Sequence, residues 1–90
     1  MSALLVTYDL KGSGGDYSGL LGKIKSYPSW ARLSESSYAI ATDTSPQAVF
    51  SALKPFLDAN DNIYVITLKQ PYSGYGPKEV NDWLDKHLAY

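Results

Sequence analysis

The sequence predicts a single α+β domain, and three observations carry that prediction. Hydrophobic residues make up 44% of the 90-residue chain, enough for a core and too many for a disordered segment. Residues 3–10 and 62–69 alternate as strands, with apolar side chains on both faces. Three further segments carry apolar residues at helical spacing. No repeat, linker or low-complexity tract divides the chain, so residues 1–90 are read as one unit.

The first strand, residues 3–10, presents Leu4, Val6, Tyr8 and Leu10 on one face and Ala3, Leu5, Thr7 and Asp9 on the other. Lys11-Gly12-Ser13-Gly14-Gly15 reads as a flexible turn, and Asp16 as the N-cap of a helix over residues 17–26. Tyr17, Leu20, Leu21 and Ile24 form the stripe of that helix. Gly19 and Gly22 each cost it about 1 kcal/mol relative to alanine, so tertiary packing must hold it. Residues 30–34 and 37–42 flank the polar pair Glu35-Ser36 and suggest a β-hairpin.

Thr44 with Gln47 three residues on reads as a capping box, and Pro46 suits the first turn of the helix that follows. Val49, Ala52, Leu53 and Phe56 are its stripe, and Pro55 should end it near Lys54. Asp58-Ala59-Asn60-Asp61 is a turn. The fourth strand, residues 62–69, sets Ile63, Val65 and Thr67 on one face and Tyr64, Ile66 and Leu68 on the other. After a Gly/Tyr-rich loop, Pro77 opens a last helix carrying Val80, Trp83, Leu84 and Leu88 on one side.

The order β-α-β-β-α-β-α, with right-handed crossovers, is most economically a ferredoxin-like βαββαβ sheet with an additional C-terminal helix. Two helices cover one face of such a sheet, and the last helix is too short to cover the other. A homodimer burying that face, with Leu5, Thr7, Tyr64 and Ile66 at the interface, is the expected remedy. The alternative is a monomer with the last helix folded across the sheet.

Other classes are excluded or demoted by composition. The chain has no cysteine, so it has no disulfide framework and no thiolate metal site. No apolar run reaches the roughly 20 residues that span a bilayer, and the N-terminus lacks the basic region of a signal peptide, so the cytoplasm is the expected compartment and no membrane partner is expected. Nine acids and eight scattered bases leave a net charge of −1, without the basic stripe that grips nucleic-acid phosphates.

Asp9, at the end of the first strand, is the leading candidate for catalysis and for metal binding. One carboxylate is a poor Mg²⁺ site, but a two-fold axis would double it, and a cation between the pair would offset their repulsion. Bound Mg²⁺ could then polarise a phosphoryl oxygen or activate water, with Lys11 or Tyr8 assisting at a nucleic-acid phosphate. The alternative is that Asp9 accepts backbone N–H groups of the following turn. Residues 12–15 match no phosphate-binding fingerprint: Tyr17 stands where a third glycine would be. Trp30, Tyr72 and Tyr75 could stack on bases or equally pack at an interface. His87, the one histidine, sits near a helix C-terminus where a cation is favoured.

The run Ala3-Leu4-Leu5-Val6-Thr7-Tyr8-Asp9-Leu10, with a glycine-bearing turn and an amphipathic helix after it, resembles the opening of the small CRISPR-associated adaptation-subunit (endoribonuclease-type) superfamily. Trp30, Ser37-Tyr38-Ala39-Ile40, Leu57-Asp58-Ala59-Asn60-Asp61, the strand 63–68 and Trp83-Leu84 are more similar to stand-alone bacterial and phage proteins labelled SinR-like. The resemblance implies a ferredoxin-like homodimer whose sheets face each other. It also implies that Asp9 lies near the dimer axis, associated with divalent metal and nuclease activity, in a dimer that can equally serve as a non-catalytic scaffold on DNA. Two features depart from that pattern: no basic surface is evident, and the C-terminus reads as a helix where many such proteins exchange a strand. The expectation is therefore a homodimeric scaffold or interaction protein, with a Mg-dependent nuclease using a symmetric Asp9 pair as the alternative.

Overall fold

The computed structural model describes residues 2–11 and 17–88. The first strand, β1 (Ser2–Asp9), is central. It pairs antiparallel with β3 (Ser37–Thr42) on one side and with β4 (Asn62–Leu68) on the other. The strand β2 (Ser29–Ser34) adds to β3, giving a four-stranded antiparallel sheet in the order β2-β3-β1-β4. Three helices complete the α+β fold: α1 (Ser18–Ile24), α2 (Pro46–Leu53) and α3 (Lys78–His87).

Period two decides what each face of the sheet does. Leu4, Val6 and Tyr8 from β1 join Tyr38 and Ile40 from β3, Leu20 and Ile24 from α1, and Val49 and Leu53 from α2 in one core cluster. Ile63 and Val65 of β4 pack against its margin. The opposite face is floored by small residues, the buried Ala3, Ala31, Ala39 and Ala41. Alanines let a helix approach closely, and α3 packs over this end of the sheet, against β2. Trp83 Nε1 fixes it by donating to Ser29 Oγ at 2.8 Å.

Most local sequence signals coincide with the elements formed, and a few boundaries and caps differ. The hairpin turns at Glu35-Ser36, and a register shift lies between Arg32 and Ser34 of β2. Pro46 stands in the first turn of α2, but Ser45 and not Thr44 is the cap: its side chain accepts the Ala48 N–H. Thr44 Oγ1 is within 3.0 Å of Thr42 Oγ1, which removes it from capping. The helix yields at Leu53 to a 3₁₀ turn over Lys54–Phe56 containing Pro55. The fourth strand ends at Leu68, one residue earlier than expected, and α1 is shorter than its predicted span of 17–26. The turn expected at residues 12–15 and the Asp16 cap lie outside the described residues.

The two helical glycines have different surroundings. A Cβ at Gly19 would lie 2.9 Å from Cδ1 of Phe56, so the absent side chain admits that ring. A Cβ at Gly22 would meet nothing within 4 Å. Gly22→Ala should therefore stabilise the protein by about 0.5–1 kcal/mol, the helix-propensity difference. Gly19→Ala should gain less or lose stability, because Phe56 must move. Urea midpoints of the two variants at constant m-value measure the contrast.

Candidate functional site

The four residues expected at a dimer interface come together. Leu5 is the cross-strand partner of Ile66, and Thr7 that of Tyr64, so they form two adjacent pairs on the face opposite the main core. Position explains their exposure. The third helix covers the β2 side of that face and leaves the β4 side open, with Tyr64 66% and Ile66 49% exposed. Leu33, at the register shift near the end of β2, is also exposed. Between the two regions lies a cleft of about 310 Å³ lined by Leu5, Leu33, Leu68, Tyr72, Leu84 and Leu88, among others.

The loop after β4 forms one wall of this cleft. Gln70 Nε2 donates to the Leu88 carbonyl at 3.3 Å, and Tyr72 donates its hydroxyl to Asp85 Oδ1 at 2.6 Å. The hydrogen bond to Asp85 holds the Tyr72 phenol above its ordinary pKa, with a smaller contribution from burial. Tyr72 and Tyr75 both line the cleft, and Tyr75 is fully exposed. Trp30 is not with them. It stands on the other face of the sheet, its ring 5.8 Å from that of Tyr38 and 5.3 Å from Lys25 Nζ.

At the end of β1, Asp9 lies on the same face as Thr7 and Tyr64, with which it bounds a shallow hollow. Its side chain is 65% exposed and its Oδ2 is 3.6 Å from Lys11 Nζ. Asp9 and Lys11 are thus together, but Tyr8 is not with them. Period two sends Tyr8 into the main core, 8% exposed, where its hydroxyl donates to the Glu35 carbonyl at 3.3 Å. Burial, and then Tyr38, push its pKa up, so this phenol stays neutral. Among the described residues, no group of three or more His, Asp or Glu side chains is placed to hold a metal ion. Nor, among them, is any helix long and apolar enough to cross a membrane.

Two clusters escaped the sequence reading. Asp61, read only as part of a turn, accepts the Lys11 N–H at 2.7 Å, the Asp58 N–H at 2.8 Å and the Tyr17 hydroxyl at 2.9 Å. One carboxylate thereby joins the end of β1, the start of α1 and the turn before β4. His87 stacks on Trp83 with ring centroids 4.2 Å apart, and its Nε2 is 3.4 Å from Ser29 Oγ. Spacing could have found the second pair, since residues four apart share a helix face.

The expectation that His87 would be favoured as a cation is reversed. Burial, and then the neighbouring Lys86, lower its pKa. A base whose folded pKa is depressed contributes stability that is present above its unfolded value, about 6.5, and lost as pH falls through the folded one. Thermal unfolding should therefore show a drop in Tm from pH 7.5 to pH 5.5 that His87→Gln abolishes.

No known protein family, no curated protein and no solved structure matches this chain.

Proposed function

We propose that this chain is a small homodimeric interaction or scaffold protein built on a ferredoxin-like domain. The strand order β2-β3-β1-β4, all antiparallel, supports that fold, as does the placement of α1 and α2 against one face. The observation that carries the self-association is the uncovered apolar surface of β4. Tyr64 and Ile66 remain open to solvent beside Leu5 and Thr7, whereas α3 packs over the β2 side of the same face, where the alanines are buried. Single exposed apolar residues are ordinary, but a contiguous set on one strand marks an interaction surface. Small domains without disulfides or metals often gain stability by assembling.

A second reading rests on Asp9. Its carboxylate emerges on the face that carries Tyr64, largely exposed and with Lys11 as its ion-pair partner. A dimer formed through that face could pair two such carboxylates around Mg²⁺ for phosphodiester cleavage, as the resemblance to the CRISPR adaptation subunits and SinR-like proteins implies. The scaffold reading is favoured, since Tyr8 lies in the core and Asp9 belongs to no group of three or more His, Asp or Glu side chains among the described residues.

The two readings separate experimentally. Light scattering combined with cleavage assays on RNA and DNA in Mg²⁺ or Mn²⁺ should give a dimer without cleavage. Cleavage abolished by Asp9→Ala would establish the nuclease instead, and a chain that stays monomeric up to millimolar concentration would contradict both.

A further inference from the structure

The mode of assembly can be argued further from β4, an inference that rests on the self-association proposed above. The strand lies at the margin of the sheet, next to β1 alone. Its sequence Asn62-Ile63-Tyr64-Val65-Ile66-Thr67-Leu68 has no charge, proline or glycine, and none of its residues is buried. Natural edges are usually protected by charges, prolines, bulges or a covering element.

The direction of its unpaired backbone groups follows from one hydrogen bond. Tyr8 N–H donates to the Ser36 carbonyl at 3.0 Å, in line with the Thr7↔Ser37 register. In an antiparallel ladder the N–H and C=O of a residue point to the same side and alternate along the strand. Even-numbered residues of β1 therefore bond to β3, and odd-numbered ones to β4. Since Thr7 pairs with Tyr64 and Leu5 with Ile66, the even-numbered residues of β4 are bonded to β1. Ile63, Val65 and Thr67 are left with N–H and C=O directed outward.

We propose that this edge pairs antiparallel with the same edge of a second copy, about a two-fold axis through Val65, to form one continuous sheet. In that register Val65 faces Val65 of the partner subunit in a hydrogen-bonded pair, and Ile63 faces Thr67 of the partner subunit. Each outward N–H and C=O then has a partner. Between them, Tyr64 faces Ile66 of the partner subunit in a non-hydrogen-bonded pair, where side chains approach most closely and an aromatic packs well on a β-branched neighbour. No charge opposes a like charge across the axis. On the helical side, the groove of about 370 Å³ bounded by Phe50, Lys54, Leu57 and Ile63 receives the added strand. Stacking of two sheets face to face would instead leave Ile63, Val65 and the outward backbone groups uncovered.

Amide hydrogen exchange read by NMR, at millimolar and at low micromolar protein, tests the register. The Tyr64 and Ile66 amides, bonded to β1, are expected to be protected at both concentrations. The Ile63, Val65 and Thr67 amides should be protected only where sedimentation shows a dimer, and lose protection on dilution. Thr67→Pro removes an outward donor without touching the ladder to β1, and should weaken dimerisation ~100-fold or more while Thr67→Ala has little effect. A dimer in which those three amides exchange freely, or one that Thr67→Pro leaves intact, overturns edge pairing while leaving self-association standing. A chain that stays monomeric at millimolar concentration overturns both.

Discussion

Replacing Asp61 with alanine is expected to lower stability by about 2–4 kcal/mol. Hydrogen bonds to a charged group contribute about 1.5–3 kcal/mol each, and partial solvation here keeps the total below their sum. The carboxylate serves two backbone N–H groups and a phenol, from Lys11, Asp58 and Tyr17. Its loss leaves the end of β1 and the start of α1 without their shared anchor. For a domain of this size the change corresponds to a fall in Tm of about 10–20 °C. Asp61→Asn keeps one acceptor oxygen and should fall between the two. Urea or thermal unfolding of the three proteins decides it, and an alanine variant within 0.5 kcal/mol of wild type, a surface-like value, would show that the anchor is dispensable.

Why Asp61 was invisible in the sequence is a matter of distance along the chain. Its turn, Asp58-Ala59-Asn60-Asp61, is legible from turn chemistry, but its partners Tyr17 and Lys11 lie 44 and 50 residues away. Nothing local selects Asp61 over Asp58 for that role. The sheet was legible for the opposite reason. Strands β1 and β4 both carry apolar residues on both faces, so the pairing of Leu5, Thr7, Tyr64 and Ile66 follows from period two once the strands are neighbours. The same period also separates Tyr8 from Asp9, which sequence adjacency had suggested as joint site residues. At α2, Thr44 and Ser45 are equally good caps by type, and only the Thr42–Thr44 contact shows which is used. The reversed tendency of His87 comes first from burial, and the approach of Ser29 from β2 to its ring is tertiary.

The second large effect is expected at Ile66, where lysine should convert a dimer to a monomer. The side chain is half exposed in the single chain, so the substitution costs the isolated fold little. Covering the exposed half of this isoleucine at an interface contributes about 0.7–1.5 kcal/mol. A two-fold axis counts that twice, and the lysine adds the cost of desolvating a charge. Together these should weaken association by at least ~10-fold. The exposed Leu33, at the opposite margin of the sheet, provides the comparison: Leu33→Lys should leave association near its wild-type strength.

Sedimentation equilibrium of the unmodified chain across micromolar to millimolar concentration tests whether the protein self-associates. A self-associating chain gives a mass rising from that of the 9.9 kDa chain to twice that value, with the rise displaced to higher concentration in Ile66→Lys. A mass of one chain at every concentration would contradict self-association.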